Sequence, residues 1–217
     1  MHAGQALQCA TSHNFGDGFA KAFDVQYLSK ENKIEPVHQT SWGITTRTIG
    51  ALIMVHGDDS GLVIPPRIAP TQFVIVPIQQ NKEGVLDKAY ALKEELLRAG
   101  IRVKVDDSDK TPGFKFADGE VRGIQLRLEI GPKDMEKNQA VLVRRDNREK
   151  SVAELSNLTE EVTGLLKKMQ KDMFERALSF QKERTTDAKS LDELVASIDK
   201  KPGFVRAMWC GCRECED

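Results

Sequence analysis

The stretch His38-Gln-Thr-Ser-Trp-Gly-Ile-Thr-Thr-Arg47, continued directly by Thr48-Ile-Gly-Ala-Leu-Ile-Met54, sets the reading of the whole chain. It has the form of an extended polar arm, a glycine and then a helix. Gly43, following Trp42, carries no side chain, so a ligand can come close to the backbone there. Thr45 or Thr46 is suited to cap a helix, and Arg47 then falls in the first turn of an apolar segment. Helix N-termini favour anions, so a guanidinium placed beside one is poor helix chemistry unless a nucleotide or another anion sits there. That conflict points to a binding site.

Upstream, Gly4 to His13 reads as a strand and Phe15 to Phe23 as a short helix, because Phe15, Phe19, Ala20 and Phe23 recur at helical spacing. A further strand is expected around Asp24 to Leu28. Beyond the helix headed by Arg47, His56 to Gly61 is a loop of turn formers, Leu62 to Ile64 a short buried strand, and Pro65, Pro66 and Pro70 a stiff connector. From Gln72 the pattern changes. Phe73-Val-Ile-Val-Pro-Ile78 is an apolar run expected of a strand buried on both faces, Val85 to Ala99 is an amphipathic helix closed by Gly100, and Ile101 to Val105 alternates as a strand. A short helix near Thr111 to Phe116 and strands at Ile124 to Ile130 and Ala140 to Arg145 follow, giving a β-α-β order with a right-handed crossover. Ser151 to Gln181 is expected to be a helix, with Thr159-Glu-Glu161 a second plausible start. Ser190 to Lys200 is a shorter helix, and Phe204 to Trp209 a strand.

Composition excludes little on its own. Acidic and basic residues nearly cancel across the 217 residues, so charge announces neither nucleic acid nor membrane, and no apolar run approaches the roughly 20 residues of a membrane span. Four cysteines, three of them crowded at the C-terminal end, fit thiols of a reducing compartment or metal ligands better than a disulfide framework. Between Glu120 and Lys150 eight cations meet six carboxylates, a balance that suits a solvated face as well as an RNA site.

Several stretches, in order, carry a resemblance: Leu7-Gln-Cys-Ala-Thr-Ser-His13, the arm ending at Arg47, Gly61-Leu-Val-Ile-Pro-Pro-Arg-Ile-Ala-Pro70, Arg127-Leu-Glu-Ile-Gly-Pro-Lys-Asp134, Leu142-Val-Arg-Arg-Asp146 and Met208-Trp-Cys-Gly-Cys-Arg-Glu-Cys215. Together they closely resemble the prolyl-tRNA synthetase family of class II aminoacyl-tRNA synthetases, in its archaeal- and eukaryotic-like branch. The resemblance implies a mixture of α+β and α/β architecture. Residues 1–69 would be the C-terminal part of an antiparallel class II catalytic domain with its third motif, 70–150 an α/β anticodon-binding domain with a mixed sheet, and 151–217 a helical linker with a partial α+β, zinc-type C-terminal domain.

The resemblance also implies roles. Arg47 would be the catalytic arginine; Gln8, Thr11, Thr45 and Arg47 would hold ATP; His13, Trp42 and Gly43 would border L-proline. Arg122, Arg127, Arg144 and Arg145 would meet the anticodon of tRNA(Pro). Cys210 and Cys215 match the first half of a zinc site whose second pair falls beyond Asp217. ATP with Mg2+ would serve the parent enzyme, a cytoplasmic homodimer without DNA or membrane partners. Departures are Cys9-Ala10, where the family carries smaller residues, and Ala117 to Gln125, which lacks the family's tryptophan and proline. The family's first two motifs are missing, so the chain is expected to be a fragment, inactive in adenylation alone. Two rivals remain: a non-catalytic RNA-binding or interaction module, and a sister enzyme for threonine, glycine or histidine.

Overall fold

Two units divide the chain, Met1–Leu52 and Ile53–Asp217. The computed structural model describes residues 1–200 and 203–212.

In the first unit, β1 (Ala10–Gly16) pairs antiparallel with β4 (Gln39–Ile44), and β2 (Gln26–Leu28) pairs antiparallel with β3 (Ile34–Pro36). Helix α1 (Gly18–Ala22) lies between β1 and β2, and α2 (Arg47–His56) starts in this unit. Two expectations need correction. The first strand starts later than the Gly4 to His13 reading, at Ala10, and ends at Gly16, because its bounds follow from the ladder with β4. Phe15 belongs to that strand and not to a helix. Its ring stacks on His13 at 5.3 Å, as i and i+2 neighbours on one strand face do, and Phe19 meets it edge-on at 4.8 Å.

The second unit is built on a five-stranded sheet in the order β6-β5-β7-β8-β9. Strands β5 (Phe73–Pro77), β6 (Val103–Val105) and β7 (Leu126–Ile130) run parallel, while β8 (Gln139–Arg144) and β9 (Lys150–Glu154) continue it antiparallel. Every residue of β5 is buried, as expected of a central parallel strand covered on both faces. Helix α3 (Val85–Arg98) buries Val85, Ala89, Leu92 and Leu96, one helical stripe. α4 (Pro112–Val121) opens with Thr111 accepting from the Phe114 amide, and Pro112 occupies the first turn, where its missing N–H costs nothing. The helix is thus longer than the expected short turn. A five-residue helix, α5 (Pro132–Glu136), joins β7 to β8.

Lys150 to Glu154 is a strand and not the start of a helix; α6 begins at Leu158 and runs to Glu183. Its buried stripe of Leu158, Val162, Leu166 and Met169 shares one core with Phe73, Leu126, Leu128 and Leu142. β9 and α6 thus complete the sheet's core. The expected strand at Leu62 to Ile64 is irregular instead, with the Leu62 amide bonded to the Val121 carbonyl. Near the end, β10 (Thr185–Ala188) pairs parallel with β11 (Phe204–Ala207), with α7 (Leu191–Lys200) between them.

Candidate functional site

In the first unit the β1–β4 ladder brings the candidate motif residues together across about thirty positions of sequence. Thr11 faces Gly43, His13 faces Ser41 and Ser12 faces Trp42. Opposed residues of an antiparallel pair share a sheet face, and neighbours along a strand alternate. Thr11, His13 and Gly43 therefore lie on one face, while Trp42 lies on the other, 80% exposed. A Cβ built on Gly43 would meet nothing within 4 Å, so the space above it is open.

Arg47 is exposed at the start of α2, and its guanidinium donates to the Gln8 carbonyl at 3.2 Å. The Thr45 amide donates to the Cys9 carbonyl at 3.3 Å. These two contacts join the segment before β1 to the entrance of α2, so Gln8, Thr45 and Arg47 occupy one edge of the ladder. The first helical turn closes through Thr48 to Thr45 and Ile49 to Thr46 backbone bonds.

The second unit presents a different chemistry. Arg127 lies with its guanidinium carbon 3.9 Å from the centre of the Phe116 ring, paired to Glu129 at 2.9 Å and to Glu120 at 3.5 Å. It forms one wall of a small hollow also lined by Gly119, Glu120, Ile124 and Arg148. Arg122 is exposed and pairs with Asp118 one turn back along α4.

Arg144 and Arg145 were expected at an RNA face, and the structure places both inside. The Arg144 side chain is 4% exposed and donates to both oxygens of Asp146 and to Asp172. Arg145, 2% exposed, donates through both terminal nitrogens to Asp58 at 2.6 and 2.8 Å and through Nε to the Glu120 carbonyl. That fork holds the Asp58 carboxyl at about 2, well below the ordinary carboxylate value; the hydrogen bond from Arg145 is the main cause, opposed by burial. Charge counting along the sequence missed these roles because Asp58 lies 87 residues away.

Three further contributors were also not foreseen. Glu120 and Glu129 flank Arg127, and the ammonium of buried Lys115 donates to Gln80 and to the Asp106 carbonyl, fixing α4 at the ends of the parallel strands. Cys210 and Cys212 are exposed, and Cys215 lies outside the described residues. Among the described residues no group of three or more metal-binding side chains forms.

A family profile described as "Anticodon binding domain" matches residues 72–165, which take in the sheet, the Arg127 hollow and the first turns of α6. The second unit thus contains a domain of the anticodon-binding class. Over all 217 residues the chain is 64% identical to the proline–tRNA ligase of Lachnoclostridium phytofermentans, 62% to that of Ruminiclostridium cellulolyticum and 59% to that of Agathobacter rectalis. It belongs to the prolyl-tRNA synthetase family. In each alignment the whole of this chain covers 45% of its relative, so it spans a little under half the length of the curated relatives it matches.

Proposed function

We propose that this chain is the part of a proline–tRNA ligase that carries the third class II motif and the anticodon-reading domain. The reaction of the whole enzyme would be attack of the L-proline carboxylate on the α-phosphate of ATP, releasing pyrophosphate, followed by transfer of proline to tRNA(Pro). Such chemistry needs no general base on the nucleophile, because the carboxylate is already ionised. It depends on positioning and on charge stabilisation. The supporting observation is the β1–β4 register, which sets Thr11, His13 and Gly43 on one open face, with Arg47 tied to the Gln8 carbonyl at its edge. In this reading Gln8, Thr11, Thr45 and Arg47 hold the nucleotide, with Arg47 opposing phosphate charge, and His13 and Gly43 border proline. Trp42 lies on the reverse face. Mg2+ would accompany the ATP phosphates and neutralise their charge; the described side chains form no carboxylate cluster to hold it. The described cysteines likewise do not make a zinc set, and no step depends on zinc.

In the second unit Arg127, flanked by two carboxylates and floored by an aromatic ring, is suited to base edges more than to phosphates. The carboxylates repel phosphate yet accept from base N–H groups, while the guanidinium donates to base carbonyls. Arg122 and Arg148 lie at the solvent side. We assign the anticodon contacts to these groups in preference to Arg144 and Arg145. No described helix is long and apolar enough to cross a membrane. A cytoplasmic homodimer is the setting in which we place the enzyme.

The test places this 217-residue segment in a full-length proline–tRNA ligase in exchange for its own. Arg47→Ala should lower proline-dependent ATP–pyrophosphate exchange by about 30-fold or more, on the order of 2 kcal/mol for one lost charge-stabilising donor. His13→Ala should raise the KM for proline, and Trp42→Ala should do so far less. Near-wild-type exchange with Arg47→Ala would remove that residue from the site.

A further inference from the structure

The loop after α2 is built into the anticodon-binding unit through the same residues that wall the Arg127 hollow. Asp58 and Ser60 supply its side-chain contacts. Asp58 takes the double bond from Arg145, and the Ser60 hydroxyl accepts from Arg148 at 2.5 Å. Backbone bonds extend the contact: Leu62 N–H to the Val121 carbonyl at 3.1 Å, and a reciprocal Asp58–Gly61 pair at 3.0 and 3.1 Å. Gly61, at φ +132, lies so close to α4 that an added Cβ would stand 2.5 Å from the Val121 Cα. Gly123, at φ +70, leaves Leu62 the same freedom; a Cβ there would be 2.7 Å from the Leu62 Cβ.

Three residues serve both the loop and the hollow. Glu120 pairs through its side chain with Arg127 and through its carbonyl with Arg145. Arg145 and Arg148 line the hollow and hold Asp58 and Ser60. A ligand that orders Glu120 and Arg148 must change the free energy of the loop fastened to them, and thermodynamic reciprocity makes the reverse hold.

We propose that residues 58–62 form a latch whose closure is coupled to RNA in the Arg127 hollow, with Asp58 and Ser60 acting as positioning residues for anticodon recognition. The inference rests on the anticodon reading of that hollow. Its carrier is a single physical piece, the last turn of α4 with the turn between β8 and β9, and no longer pathway is needed. The latch follows directly on α2, which ends at His56.

The experiment uses the 217-residue chain and the anticodon stem-loop of tRNA(Pro). Amide hydrogen exchange of Asp58, Gly61 and Leu62 is followed by NMR with and without saturating stem-loop, with the β5 amides of Val74 and Ile75 as controls. Bound RNA should slow exchange of the three latch amides at least about fivefold, the lower end of ordinary coupling, and leave the controls unchanged. Asp58→Asn keeps the shape but removes the charge. It should speed latch exchange and weaken stem-loop binding about threefold or more, while Asp58→Glu should recover part of both. Stem-loop binding with unchanged latch exchange, or equal affinity for wild type and Asp58→Asn, would overturn the latch and leave the anticodon reading standing. Absence of stem-loop binding, or equal binding of a stem-loop with scrambled anticodon bases, would overturn the reading itself and the latch with it.

Discussion

Replacing Arg144 with alanine tests whether the arginines beside β8 are structural. The Arg144 guanidinium makes two 2.9 Å bonds to Asp146, whose side chain is fully buried, and one of 2.8 Å to Asp172, whose side chain is 26% exposed. Alanine would leave Asp146 with Arg176 alone and Asp172 with Lys168 alone, both of these cations being half or more exposed. Breaking a buried pair by removing one partner costs about 3–5 kcal/mol. The two remaining cations place the expected loss near the lower end, about 3 kcal/mol. Arg144→Lys keeps the charge but cannot make the parallel pair of bonds to Asp146, so it should cost about 1–2 kcal/mol. Exchange protection of the β7 and β8 amides is the proper assay, since it reports opening of this sheet independently of the first unit. The penalty should also shrink in acid. Asp172 is held below the ordinary carboxylate value by its bond from Arg144, against the cost of burial. Stability from that depressed value is present above the unfolded value and is lost as pH falls through the folded one. A loss under about 1 kcal/mol for Arg144→Ala, without acid dependence, would refute the internal network and return Arg144 to the solvent face.

Asp58, at about 2 against an ordinary 3.8, contributes stability that is complete above pH 4 and disappears between 4 and 2. Since its side chain is 41% exposed, solvent screening reduces the contribution to about 1 kcal/mol, and an acid titration of wild type against Asp58→Asn should show that difference closing over this interval. Gly61→Ala should cost about 2 kcal/mol or more in thermal or urea unfolding of the second unit, because both its φ and the Val121 backbone forbid a side chain; a neutral result would show that the latch loop is not held against α4. Binding of the anticodon stem-loop should weaken with salt by only a few counterions' worth, as few free cations face the hollow, and a steep slope in a salt titration would point to phosphate contacts instead.

The elements that were legible in the sequence are those with a strong local period. The buried run of β5, the 4-3-4 stripe of α3 and the stripe of α6 all appear where their apolar spacing puts them. What failed had no local cause. Lys150 to Glu154 is polar enough to be read as the start of the following helix, and it is a strand because β8 would otherwise have an unpaired edge. Phe15, Phe19 and Phe23 are spaced as a helix would space them, yet Phe15 lies in β1, at the irregularity between Asn14 and Gly16. The motif arm was legible because a glycine, two capping threonines and an arginine conflict with ordinary helix design within a few residues. The face on which each residue lands was not, since that depends on the pairing of Ser12 with Trp42 across 30 residues of chain.

Arginine content was the least reliable guide, for a physical reason. A guanidinium serves a buried carboxylate and an RNA base with the same fork of donors, so only burial separates the two uses. Arg144 binds Asp146 and Asp172 and closes the β8–β9 hairpin onto α6, and Arg145 binds Asp58 and closes the loop after α2 onto α4. Arg127 differs in having an aromatic floor and two carboxylates placed at its sides. The buried pair therefore does what rigid scaffolding does for a binding residue: it fixes the turn that carries Glu120, and Glu120 in turn fixes the orientation of Arg127. Charge reversal at Arg145 would weaken RNA binding through the loss of its bonds to Asp58 and to the Glu120 carbonyl. Weakened binding from that variant alone cannot distinguish contact from support, whereas the latch amides, which respond only if the support is coupled to the ligand, can.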